Sequence, residues 1–70
     1  MTQYKTFTLN GETYFTKKTI SLVALITYFN YNDSLLVLKH NNLICNKKDW
    51  NKILIKDQDK IEIVTIVGGG

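Results

Sequence analysis

A single stretch of this chain carries a helical repeat. From Ile20 to Phe29 the apolar residues Leu22, Leu25, Ile26 and Phe29 recur at helical spacing, while Thr27 and Tyr28 fall elsewhere on the cylinder. Thr19 or Ser21 is placed to cap the start, because a hydroxyl there accepts an orphan backbone N–H. No proline interrupts the stretch, and the polar run Asn30 to Ser34 ends it. The apolar segments on either side are short and strand-like. One helix covering one face of a small sheet is therefore the fold class to expect.

The strands follow from period-two alternation and turn chemistry. Between Tyr4 and Leu9, Lys5, Phe7 and Leu9 share one side, and Tyr4, Thr6 and Thr8 share the other. Phe7 and Leu9 should face the core. Asn10-Gly11 is a strong two-residue hairpin signal, and Glu12 to Phe15 reads as the returning strand. Leu35 to Leu38 is a continuous apolar run and predicts a buried strand. Asn41-Asn42 marks a turn into a short strand, Leu43 to Cys45. Asn46 to Lys52 is a polar connection carrying the only tryptophan, Trp50. Ile53 to Ile55 is brief and apolar, and Lys56 to Lys60 is a charged turn. Ile61 to Val67 is the last strand, almost wholly apolar, and belongs in the sheet interior beside the first. The order ββαβββ, with a right-handed crossover, describes an α+β roll of the β-grasp type: a mixed sheet of four to five strands with one main helix across one face.

Composition narrows the function. One cysteine, Cys45, excludes an internal disulfide, and with His40 it supplies the only soft metal ligands, too few for a usual zinc site. The longest apolar run, Leu22 to Ile26, is far short of the ~20 residues a bilayer span needs. The start of the chain has no signal-type apolar stretch. A soluble, intracellular protein that engages no membrane is expected. Net charge is +3, spread over scattered lysines with no arginine, which reads as a solvated surface and not a nucleic-acid footprint. Asparagine, lysine and isoleucine fill about a third of the chain, a bias that hints at an AT-rich genome such as an organelle's. The expected location is cytoplasmic, or the plastid stroma if the gene is organellar.

The last strand runs into Gly68, Gly69 and Gly70. A glycine run resists ordering, so a frayed end is one reading. The other uses what glycine lacks: a tail without side chains can thread a narrow channel and carry its carboxylate into another protein's active site. That carboxylate, ionised at neutral pH with a reference pKa of about 3.3–3.7, is a poor electrophile until adenylated. Residues 1–67 would then form one domain and 68–70 a flexible tail.

The Leu9-Asn10-Gly11-Glu12 hairpin, a helix start at Thr19, the strand Leu35–Leu38, the segment Ile44 to Trp50 and the Asp57-Gln58-Asp59 turn form one pattern with Ile61 to Gly70. Across essentially its whole length the chain resembles the ThiS family of thiamine-biosynthesis sulfur carriers, ubiquitin-like proteins of the ThiS/MoaD superfamily. The Asp-x-Asp turn before an apolar strand ending in Gly-Gly is the most specific part. The resemblance implies a carrier and not an enzyme. Gly70 would be the site of adenylation and thiocarboxylate formation. Gly68, Gly69, Val64, Ile66, Thr6 and Thr8 would bind partners. Those partners would be a ThiF-like adenylyltransferase, a ThiG-like thiazole synthase and a sulfur-donor protein. The carrier would bind no cofactor; ATP and Mg²⁺ would serve the activating enzyme, and a monomer is expected in isolation. A molybdopterin-synthase small subunit and a ubiquitin-related modifier share the fold and the tail. So does a plain interaction module with an idle tail. The family often has glycine where Gln58 stands, so a positive φ there would cost about 1 kcal/mol or somewhat more.

Alternation places Ile61 and Ile63 on the helix side of the last strand and leaves Val64 and Ile66 exposed, with Thr6 and Thr8 expected beside them on the first strand. Cys45 reads as buried and inert, and His40 as a lone surface or turn residue with no carboxylate at catalytic spacing. Trp50 reads as a lid over the core edge. Asp57 and Asp59 more plausibly close a turn than perform acid–base chemistry.

Overall fold

The computed structural model describes residues 3–65. Strands β1 (Lys5–Leu9) and β2 (Glu12–Thr16) pair antiparallel in a register that sets Leu9 opposite Glu12. Asn10 and Gly11 therefore close the hairpin alone, with φ of 51° and 84°. Two positive φ values make a turn whose twist matches that of the flanking strands. The hairpin between β3 (Leu36–His40) and β4 (Leu43–Cys45) repeats the device with Asn41 and Asn42, φ 52° and 71°. The last strand, β5 (Lys60–Thr65), lies between β1, to which it is parallel, and β3, to which it is antiparallel. The sheet order is β2-β1-β5-β3-β4. The last strand thus takes the centre, as the apolar run from Ile61 predicts.

The helix α1 spans Leu22–Tyr28. It begins two residues later than the apolar repeat suggests, because Ile20 and Ser21 are held in an extended bridge. The Ile55 N–H donates to the Ile20 carbonyl, and Ser21 pairs with Leu54. Seven residues are too few to form a stable helix in isolation, so both ends need partners. At the N-terminus the N–H groups of Leu22 and Val23 donate to the carbonyls of Ile53 and Trp50, and that of Ala24 to Ser21 Oγ. Ser21, not Thr19, is the cap. At the C-terminus Asn30 adopts φ 60°, with Asn30 N–H to Thr27 O and Tyr31 N–H to Ile26 O. That pair is a Schellman closure with asparagine in the left-handed position.

Leu22, Leu25 and Ile26 of α1 pack on Phe7, Leu9, Leu36, Leu38, Ile61 and Ile63 of the sheet, with Trp50 and Ile55 closing one side. Leu22, Leu38, Ile55 and Ile61 are essentially inaccessible, and each such side chain contributes about 1.5–3 kcal/mol of burial. Trp50 is the lid its size suggested, buried and donating its indole N–H to the Cys45 carbonyl. The predicted strand from Leu35 shifts: Leu35 ends a 3₁₀ turn, Asp33–Leu35, and the strand runs on to His40. Ile66 and Val67, read as the end of the last strand, lie outside the described residues.

Candidate functional site

β5 delivers the chain toward the glycines. On one side it pairs with β3 through Thr65, opposite Leu36. On the other, the ladder with β1 ends at Leu9 opposite Ile61. Asn10 extends it by two bonds. Its N–H donates to the Ile61 carbonyl (2.9 Å), and its Oδ1 accepts the Ile63 N–H (2.8 Å). The hairpin tip is thereby fastened to the central strand, and among the described residues Val64 and Thr65 run past it paired with β3 alone. Gly68, Gly69, Gly70 and Ile66, which the sequence singles out, lie outside the described residues.

Val64 is on the face of the sheet away from the helix and is 56% exposed. Thr6 and Thr8, expected beside it, are not there. The parallel register sets Thr8 opposite Lys60, four residues before Val64, or about 13 Å along the strand. The Thr6 backbone is taken up by the turn before β5: its N–H donates to Asp57 Oδ1 (2.7 Å), and its carbonyl accepts from Gln58. The expectation fails because alternation gives the face of a residue but not its height in the sheet. Val37, opposite Val64 on β3, is the true neighbour. Lys39 comes next on that face, opposite both Glu62 on β5 and the exposed Ile44 on β4. The Lys39 ammonium stands 4.0 Å from Glu62 Oε1, which accepts no hydrogen bond among the described residues. The outer face near the exit of β5 is therefore an apolar strip, Ile44, Val37 and Val64, crossed by one ion pair. Alternation gives the face of Ile44 on β4, but only the order β5-β3-β4 brings it to this strip.

A second cluster lies at the other end of β5. Asp59, buried, accepts from His40 Nε2 (2.8 Å), the Lys56 N–H (2.8 Å) and Asn41 Nδ2 (3.1 Å). Burial pushes its carboxyl pKa up, but the hydrogen bonds from His40, Lys56 and Asn41, with the His40 charge, outweigh that and hold it below the usual range. His40 is thus not the lone residue its spacing suggested; the Asn41-Asn42 hairpin and the Asp57–Asp59 turn bring it to a carboxylate. The arrangement is a lock and not a catalytic pair. Both Asp59 oxygens are occupied, and the register of His40 opposite Ile61 sets the cluster about 13 Å from Thr65. Asp57 and Asp59 do close the turn, with Gln58 between them at φ 70°. Cys45 is half-buried, and burial, reinforced by the Asp49 charge, pushes its thiol pKa up, leaving it a poor nucleophile near neutrality. Among the described residues no group of His, Cys, Asp or Glu is placed to hold a metal ion, and no helix is long and apolar enough to cross a membrane.

A five-stranded mixed sheet ordered β2-β1-β5-β3-β4 under one helix, with its central last strand leading to glycines, defines a ubiquitin-like β-grasp protein. The crystal structure of a thiamine biosynthesis protein (ThiS) from Geobacter metallireducens has this fold: the two superpose with a TM-score of 0.79 over 93% of this chain and 99% of that one, at 18% identity. The sequence matches the ThiS family over residues 2–70, and the chain belongs to that family. Among its relatives is a protein named uncharacterized protein ycf40 in Trieres chinensis, 64% identical over 66 residues, covering 94% of this chain and 90% of the relative. Another of the same name in Porphyra purpurea is 36% identical over 62 residues, covering 89% and 87%. Family membership supports the role of a small sulfur carrier served by partner enzymes.

Proposed function

We propose that the chain carries sulfur as a thiocarboxylate on Gly70 for assembly of the thiazole ring of thiamine. The observation that supports this most is the family match running through residue 70, on a fold whose last strand, β5, takes the centre of the sheet. In this reading a Gly70 carboxylate oxygen attacks the α-phosphorus of ATP in a ThiF-like partner, and pyrophosphate leaves. Sulfur at the sulfide oxidation level then displaces AMP from the acyl-adenylate. The resulting thiocarboxylate, ionised and nucleophilic, passes its sulfur to a thiazole synthase. The carrier supplies an acyl group and a docking surface; the partners supply ATP, Mg²⁺ and catalytic side chains. The thiamine context is supported by the family and by the name of the Geobacter protein. The plastid stroma is the proposed location, on the compositional bias of the sequence.

Docking is assigned to Gly68, Gly69 and Ile66 with the Ile44, Val37 and Val64 strip, of which Ile44 and Val64 are exposed. The test is ATP–pyrophosphate exchange with the activating enzyme. Val64→Asp and Ile44→Asp should raise the KM for the carrier by about tenfold or more, because each would place a charge in a desolvated contact. Thr8→Asp, at the far end of the sheet, should leave it unchanged. Undiminished exchange after deletion of Gly70 would refute the proposal.

A further inference from the structure

Strand β2 is an edge of the sheet, and its open side has a defined chemistry. The N–H groups of Thr6 and Thr8 and the carbonyl of Thr6 are directed at the β5 side of β1. Hydrogen bonds alternate along an antiparallel pair, so Lys5, Phe7 and Leu9 face β2, and their register partners Thr16, Tyr14 and Glu12 face back. Thr13 and Phe15 are left with backbone N–H and C=O groups directed outward, and no other strand covers that edge among the described residues. Beside the edge, between β2 and α1, runs an apolar groove of about 420 Å³. Tyr14, Ile20, Ala24, Tyr28 and Phe29 line it, and Lys18 stands at its rim. Tyr28 is 80% exposed and Phe15 66%, so aromatic surface flanks the groove above and below the strand.

Charge is distributed unevenly along this edge. At the Thr16 end stand Lys17, with its ammonium 4.8 Å over the Tyr4 ring, Lys18, and Lys5, which donates to Thr19 Oγ1. At the other end of the strand stands Glu12. Lysines beside an open edge discourage pairing with neutral or basic strands, and the same charges favour an acidic one.

We infer that β2 and the groove receive an extended segment of a partner protein, added as a sixth strand, with alternate apolar side chains in the groove and acidic residues against Lys17 and Lys18. The outward groups of Thr13 and Phe15 would supply main-chain hydrogen bonds, and the period of two would send every second side chain inward. A small apolar ligand would leave those backbone groups unused. This surface is on the opposite edge of the sheet from β4 and does not involve Gly70, so the inference stands apart from sulfur carriage. A partner held here would leave the β5 exit and the outer strip free.

The probe is a soluble peptide of alternating valine and threonine with paired aspartates at one end, titrated into the full chain and followed by amide NMR. The amides of Thr13 and Phe15 should shift and their hydrogen exchange should slow, while Val64 and Ile44 stay unmoved. A lysine-ended version should bind about tenfold more weakly, and the double variant Lys17→Glu, Lys18→Glu should reverse that preference. The reversal requires folded protein, so it separates lost binding from lost structure. Equal binding of both peptides, shifts confined to the outer strip, no shifts at millimolar peptide, or self-association through β2 would each overturn the inference.

Discussion

Replacing Asp59 by alanine should remove more stability than any other change of one polar side chain among the described residues. Asp59 accepts from the His40 ring, the Lys56 N–H and the Asn41 amide, and only 7% of it is exposed. Hydrogen bonds to a charged group are worth about 1.5–3 kcal/mol each, and removing one partner of a buried pair typically costs about 3–5 kcal/mol. Water entering the vacated space relieves part of the sum, so about 3–5 kcal/mol is the expected loss. A domain of this length holds about 4–10 kcal/mol in all, so the variant would sit close to unfolding, with Tm lowered by about 15–30 °C. Trp50 is buried and reports the transition by fluorescence during urea unfolding. The carboxyl is held below its usual pKa in the folded state, so its contribution is present above the unfolded pKa, near 4, and fades as pH falls through the lower folded value. The gap between wild type and Asp59→Asn should therefore narrow below about pH 4. A loss under about 1 kcal/mol for Asp59→Ala, or a gap that does not change with pH, would refute the lock.

Three further changes test other joints of the fold. Gln58→Gly should stabilise by about 0.5–1 kcal/mol, because the left-handed φ of 70° is strained for glutamine, and urea unfolding reads the gain. Asn10→Ala should cost about 2–3 kcal/mol through loss of the bond to the Ile63 N–H and strain at φ 51°, with the Ile63 amide losing hydrogen-exchange protection first. Cys45 should be alkylated by iodoacetamide more slowly at neutral pH than a cysteine in an unstructured peptide, with a rate still climbing above pH 9, because burial raises its thiol pKa.

What was legible in the sequence was local. Asn10-Gly11 and Asn41-Asn42 announce their turns because the left-handed conformations they need are intrinsic to those residues. Alternation sorts Phe7, Leu9, Ile61 and Ile63 onto the helix side without knowledge of their partners. Quantities set by register were not legible. The link between His40 and Asp59 spans nineteen positions and exists only because two turns meet at one end of the sheet. The error that set Thr8 beside Val64 has the same origin: a parallel pair can start at any offset, and here it starts at Lys60. The start of the helix depended on carbonyls of Trp50 and Ile53, which no repeat within the helix reveals. At the candidate site, the exposure of Val64 was readable, while its neighbours Val37 and Ile44 needed the strand order.

Sulfur carriage stands or falls on the chemistry of one carboxylate. Purified chain should be incubated with a ThiF-like enzyme, ATP, Mg²⁺ and a sulfide source, then weighed intact and fragmented. The reading predicts a mass gain equal to exchange of one oxygen for sulfur, located on Gly70 and abolished when Gly70 is removed. A mass that never changes under conditions where the enzyme charges its own carrier, or a modification on any other residue, would contradict it.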